Sequence, residues 1–324
     1  MGEIFRRETA AHPEPFTGER LTTAVGGQVQ IEHYHRYLFA RSLVTGLDVL
    51  DVASGEGYGS ALLAQVARSV VGVEYSGPTV VTAAGNFPRP NLHFLRGDAR
   101  ALPLADSCVD VAVSFETIEH FDRQRDFLRE IHRVLRPGGC FIVSTPDRDI
   151  YSPAGTAANP FHVHELSGSE FATLLRDTFR HVSIMRQRAL IGSALLADAA
   201  SPTLPLVFDR RGDTHFEACV GLPRAPYLVA VASDKEPPPL PPSLYISRGD
   251  VDTDLISAMT LARQLRETQA QLHETQAQLA ATTTNLQQAL QHTEQRLDQV
   301  QGSLRTFLRG YLPRLRQHWL GHRP

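Results

Sequence analysis

The nine residues Asp51-Val52-Ala53-Ser54-Gly55-Glu56-Gly57-Tyr58-Gly59 follow a short apolar run. Glycine tolerates positive φ and lets a ligand lie against the backbone. A glycine-rich turn between a strand and a helix is the form of a nucleotide-type crevice. The acids around this turn narrow the ligand. Asp51 at the strand end and Glu56 within the loop would repel a pyrophosphate, so the pattern favours a cation without phosphates. Glu74 ends a second apolar run, and its two coplanar oxygens suit the two hydroxyls of a ribose. Gly97-Asp98-Ala99 ends a third. There the Asp98 carboxylate is placed to accept from an adenine amino group, and the Ala99 amide to reach a ring nitrogen. Any one of these acids alone reads as an ordinary strand-end carboxylate. Acids at the ends of three successive strands, with the loop after the first, make a pattern. S-adenosylmethionine, with its sulfonium and ammonium groups, fits it.

These residues need a frame to hold them. Residues 49–52, 70–73, 92–95, 109–114 and 140–144 are short apolar runs that read as strands. Residues 60–68 and 121–135 read as helices, the second with Phe127, Leu128, Ile131, Val134 and Leu135 on one side. Pro137-Gly138-Gly139 is expected to break it before the fifth strand. Alternating strands and helices predict a parallel sheet covered on both faces. The runs 181–187 and 227–233 are expected to add an antiparallel edge pair. The fold class expected is therefore α/β, a Rossmann-like doubly wound sheet, followed by a long C-terminal coiled-coil helix. Residues 190–221 have no readable pattern and are assigned to an acceptor pocket, with 209–213 as a solvated turn.

Composition changes near residue 234. Glu236-Pro237-Pro238-Pro239-Leu240-Pro241-Pro242 favours polyproline II and makes a spacer. Beyond it, heptads place Leu255, Ala262, Gln269, Gln276, Thr283, Leu290, Leu297 and Leu304 at a. They place Ala258, Leu265, Leu272, Leu279, Leu286, Thr293, Val300 and Phe307 at d. A seam this narrow needs a partner, either a second copy or another protein; the alternative is a single solvated helix. The predicted domains are 1–234, a 235–250 linker, a 251–308 coiled coil and a basic amphipathic tail at 309–324. The arginines and aromatics of the tail suit an anionic membrane face or a protein partner, with Pro313 expected to break the helix.

Of 324 residues, 42% are hydrophobic, enough for a sizeable core, and the net charge of -3 gives no footprint for nucleic acid. The three cysteines stand far apart, which excludes a disulfide framework and a C-x-x-C metal site. No run approaches the ~20 apolar residues of a membrane span, and the N-terminus lacks a signal-peptide pattern. A cytoplasmic location is expected, the inner face of the membrane being the alternative.

Residues 47–146 resemble the class I S-adenosylmethionine-dependent methyltransferases. Leu50-Asp51-Val52-Ala53-Ser54-Gly55-Glu56-Gly57 is similar to that family's first motif. Val71-Gly72-Val73-Glu74 is similar to the second, Gly97-Asp98-Ala99 to the third, and Leu135-Arg136-Pro137-Gly138-Gly139 to the turn before strand five. Ala53 departs from the pattern, standing where the family usually has glycine. The flanks, Glu32-His33-Tyr34-His35-Arg36-Tyr37 and Asn159-Pro160-Phe161-His162-Val163-His164-Glu165-Leu166, resemble members associated with bacterial cell-surface polysaccharide biosynthesis. The resemblance implies S-adenosylmethionine as cofactor, bound by Asp51, Ala53, Gly55, Gly57, Glu74, Tyr75, Asp98, Ala99 and Glu116. His35, Arg36 and Tyr37 are expected to cover the cofactor from an N-terminal helix, with Tyr37 packing on adenine or lining its mouth; the alternative is ordinary helix-to-sheet packing.

Methyl transfer to oxygen also requires loss of a proton, and a general base contributes about 10²–10⁴-fold. His162, His164 and His120 are the candidates, because the loops after strands four and five lie at the carboxyl edge of the sheet. Each is also readable as a packing residue. Asp147, Asp149 and Glu165 lack a distinctive ligand spacing, so no required metal is expected. The acceptor implied is a sugar hydroxyl on a glycan or nucleotide sugar. A quinone- or polyketide-type small molecule, an inactive coiled-coil scaffold and a nicotinamide oxidoreductase are the rivals.

Overall fold

The computed structural model describes residues 5–13, 22, 27–153, 155, 159–190, 204–211, 215–237, 240–246 and 251–320. Contacts divide the chain into two units, 1–246 and 247–324. In the first unit, helix α1 (Gln28–Leu43) precedes strand β1 (Asp48–Val52), α2 (Tyr58–Leu63), β2 (Ser69–Glu74), α3 (Gly77–Asn86) and β3 (Leu92–Arg96). Then come β4 (Val109–Phe115), a 3-10 turn (Ile118–His120), α4 (Gln124–Val134), β5 (Leu135–Pro146), α5 (Arg148–Tyr151) and α6 (Gly168–Arg176). Strands β6 (His181–Gln187), β7 (Leu206–Arg211), β8 (His215–Val220) and β9 (Tyr227–Ser233) complete the unit.

Seven strands form one sheet in the order β3-β2-β1-β4-β5-β9-β6. Strands β1 to β5 pair in parallel, and β9 runs antiparallel to both β5 and β6. This is the expected mostly parallel, doubly wound sheet with its antiparallel edge. The chain winds outward from β1 to β3, then returns to β4 on the other side of β1. That reversal opens a crevice at the carboxyl ends of β1 and β4, where open α/β sheets bind ligands.

The strands alternate between two buried faces. Leu50, Ala112, Phe141 and Val143 pack with Phe127, Leu128, Ile131 and Val134 of α4 and with Phe171 and Leu175 of α6. Val49, Val111, Val113 and Ile142 pack on the other face with Tyr34, Tyr37 and Phe39 of α1 and with Ala61, Leu62 and Leu63 of α2. In α6, the Ser167 side chain and Glu170 form a reciprocal capping box.

Three expectations are revised. The turn Pro137-Gly138-Gly139 lies inside β5, which begins directly after α4. The pairing jumps from Val109↔Leu135 to Val111↔Cys140, so the turn is absorbed as a bulge. The run 209–213 is not simply a turn: residues 209–211 belong to β7, paired antiparallel with β8, while 212–213 fall outside the described residues. Residues 191–203 do as well. Pro313 does not end the C-terminal helix, α7, which runs from Val251 to Leu320. A proline removes one backbone donor and crowds the carbonyl four residues earlier. In a helix of 70 residues the remaining ladder carries that local loss.

Helix α7 constitutes the second unit, with a length of roughly 105 Å at 1.5 Å per residue. The heptad leucines Leu265, Leu272, Leu279, Leu286 and Leu297 are each more than half exposed in the single chain. No helix among the described residues is long and apolar enough to cross a membrane.

Candidate active site

The glycine loop joins β1 to α2 and carries three positive φ angles, at Ala53 (58°), Gly55 (53°) and Gly57 (90°). Ala53 adopts the left-handed conformation that the missing glycine would take without cost. A Cβ at Gly57 would lie 2.7 Å from the Phe94 ring, so only glycine fits there. A Cβ at Gly55 would meet nothing within 4 Å. The loop backbone is therefore bare toward a ligand at Gly55 and packed at Gly57.

Glu74, at the end of β2, turns back onto this loop. Its Oε2 accepts from Gly55 N–H at 3.2 Å and its Oε1 from Ser76 N–H at 2.9 Å. Two backbone donors thus fix the carboxylate's plane beside the bare backbone, the arrangement that a ribose diol requires. Tyr75 beside it is 70% exposed.

Asp51 is fully buried. Ser60 Oγ donates to its Oδ2 at 2.6 Å, and the Tyr37 hydroxyl lies 3.2 Å from Oδ1. Burial pushes its carboxyl up to about 7, against the opposing effect of these hydrogen bonds. Tyr37 packs edge-on against Phe115 and fills the space above Gly59. It therefore stands over β1 and β4, away from Asp98 at the end of β3. Glu56 is also wholly buried, within the loop.

Asp98 has a partner that sequence reasoning missed. The Arg100 guanidinium takes both of its oxygens, Nε to Oδ1 at 3.0 Å and Nη2 to Oδ2 at 2.9 Å. This pairing holds the Asp98 carboxyl below its ordinary value. Oδ1 also accepts from Arg100 N–H at 2.8 Å, so Oδ2 is the oxygen whose second lone pair can still receive an adenine amine. Ala99 is half-buried against the core beneath.

A second polar cluster lies over the ends of β4, β5 and β9. Glu116, at a positive φ of 52°, accepts from Ser144 Oγ at 2.7 Å and pairs with Arg36 Nη1 at 3.0 Å. Arg36 is buried in α1. Its Nε donates to Gln187 Oε1 at 2.6 Å, and its guanidinium lies over the Tyr227 ring. Glu119 is wholly buried; burial, then the charge of Glu116, hold its carboxyl well above the usual range. One of its oxygens, Oε2, accepts from Thr145 at 3.2 Å.

The loops carry the candidate bases to this cluster unequally. The rings of His120 and His162 meet edge to face with centroids 5.2 Å apart. His162 Nδ1 lies 2.5 Å from Glu165 Oε1, while its Nε2 faces Asn159 Nδ2 at 3.1 Å. Asn159 Oδ1 already accepts from Phe161 N–H, which assigns the amide nitrogen to the His162 side. His120 Nδ1 lies 2.7 Å from Phe161 O. His164 differs: its side chain is exposed, and its backbone bonds to Glu119 O and Gln124. Tyr151, stacked on His162, and Tyr227 were missed because each sits where a run reads only as strand or loop. Arg36 carried a signal, being an arginine on the apolar side of a helix.

Residues 50–143 match the family model described as a methyltransferase domain. A probable S-adenosylmethionine-dependent methyltransferase of Mycolicibacterium smegmatis is 42% identical over 164 residues, 50% of this chain and 63% of that protein. The phthiotriol/phenolphthiotriol dimycocerosates methyltransferase of Mycobacterium tuberculosis is 34% identical over 138 residues, 41% of this chain and 51% of that protein. The demethylmenaquinone methyltransferase of Renibacterium salmoninarum is 33% identical over 124 residues, 38% of this chain and 51% of that protein. The chain thus spans between half and two thirds of the length of these curated relatives. Residues 50–143 are thus similar to methyltransferase domains, and the first of these relatives is named as S-adenosylmethionine-dependent.

Proposed function

We propose that the chain transfers a methyl group from S-adenosylmethionine to a hydroxyl oxygen. The observation that carries the cofactor part of this reading is the Glu74 carboxylate, locked by two backbone amides, one of them Gly55, with Asp51 and Asp98 at or just beyond the ends of the flanking strands; the oxygen acceptor rests on the His162–Glu165 pair. When bound, S-adenosylmethionine supplies a methyl group on a sulfonium centre. Glu74 would hold the ribose, and Asp98 and Ala99 would receive the adenine. Alignment of this kind supplies a large share of the rate of a displacement.

The proton of the acceptor hydroxyl goes to His162. Glu165 holds Nδ1, which leaves Nε2 as the accepting nitrogen once the Asn159 amide bonded to it gives way to the acceptor hydroxyl. His120 packs against it, and Arg36 with Glu116 forms the floor. The acceptor retained from the sequence is a sugar hydroxyl. A second reading, a lipid or quinone acceptor, is favoured by the names of two relatives. A labelled-methyl assay across sugar, hydroxylated lipid and quinone acceptors separates the two. With the true acceptor, His162→Gln is expected to lower kcat by about 10²–10⁴-fold without changing cofactor affinity. An unchanged kcat removes His162 from the role. We further propose that α7 joins two or more copies through its heptad seam.

A further inference from the structure

We infer that Glu119, His120 and His162 form a binding site for a divalent transition-metal cation of the zinc type. One carboxylate oxygen of Glu119 and one ring nitrogen of each histidine lie within 4.8 Å of one another. Two imidazoles and one carboxylate are a donor set that zinc takes while leaving a fourth position open.

Two further observations point to a cation. Glu119 is wholly buried, yet its Oε1 has no hydrogen-bond partner among the described residues. A buried carboxylate oxygen without a partner is costly, and a cation would satisfy it. Both histidines are also held from behind: Nδ1 of His162 by the Glu165 carboxylate and Nδ1 of His120 by the Phe161 carbonyl. That is how metal-ligating imidazoles are oriented, because the Nδ1–H bond leaves the Nε2 lone pair for the ion. Binding requires His162 Nε2 to exchange the Asn159 amide for the metal. The lone pair is then occupied, so the cation blocks proton uptake by His162. This last consequence rests on the proposed role of His162; the binding itself does not.

The test is titration of the full chain with Zn²⁺ by calorimetry and with Co²⁺ by visible absorption, where four-coordinate cobalt absorbs strongly. One tight site per chain is expected. Glu119→Gln and His120→Gln are each expected to weaken it at least tenfold, and Glu165→Gln, which frees the back of His162, by about 10–100-fold. His132→Gln, which removes an exposed imidazole paired with Asp234 elsewhere, should leave it unchanged. Retained S-adenosylmethionine binding shows that each variant is folded. If Glu119→Gln does not fold, the half-buried His120 carries the test alone. Absence of the site in the wild type, or equal affinity in His120→Gln, overturns the inference. Zinc binding without inhibition of methyl transfer would leave the site standing and remove His162 as base.

Discussion

At the scale of single residues, the account turns on carboxylates whose settings differ. Glu74 is held by backbone amides, Asp98 by a guanidinium, and Asp51 is buried with only hydroxyl donors. The Asp51 carboxyl is raised to about 7, above the ~3.9 of an unfolded chain. Between those values the folded chain holds a proton that the unfolded chain has lost. Its favourable contribution is therefore full below pH ~4 and declines as pH rises through 7, by at most about 1.4 kcal/mol per unit. Asp48, held below its ordinary value by Arg68, works in the opposite sense and at lower pH, outside this window. Urea unfolding of the full chain at pH 5 and pH 7.5 should show a larger loss for the wild type than for Asp51→Asn. Equal losses would contradict the buried-acid description. The motif acids could be read from the sequence because each sits at a strand end with a recognisable spacing. Arg100 could not, since a lone arginine in a loop does not announce which carboxylate it will take.

At the scale of elements, the sheet was legible because its strands are continuous apolar runs and its helices have one apolar side. The hairpin of β7 and β8 was not, because Leu206, Phe208, Phe216 and Val220 are exposed and no core periodicity marks them. The bulge in β5 hid behind a proline-glycine turn that usually separates elements. In α7 the heptad residues were legible, and the structure adds that two polar seam positions are self-satisfied. Thr283 donates to Leu279 O and Thr293 to Ala289 O, each at 2.8 Å. Burying them against a partner would leave no unpaired hydroxyl, which removes one objection to a paired seam. Sedimentation of the full chain at micromolar concentrations is therefore expected to give an oligomer. Replacing Leu272 and Leu279 with Asn should shift it to monomer with the fold of residues 1–246 intact. A monomeric wild type would reject the proposed self-association.

At the scale of the whole molecule, one unit carries the proposed chemistry and a helix of 70 residues presents an exposed apolar seam. The proposed cofactor end was readable from spacing, whereas the proposed acceptor end is assembled from Arg36, Glu116, Glu119, Tyr151, His162 and Tyr227. Those residues come from α1, the segment after β4 with its 3-10 turn, α5 and the loop after it, and β9, and only folding brings them together. Cofactor binding is the first requirement of the proposed activity. Calorimetric titration of S-adenosylmethionine into the full chain should give one site. Glu74→Ala should weaken it roughly 10–100-fold, the scale of about 1.5–3 kcal/mol for hydrogen bonds to a charged group, with unchanged circular dichroism. A folded wild type that does not bind, or a Glu74→Ala variant that binds as tightly, would contradict the account.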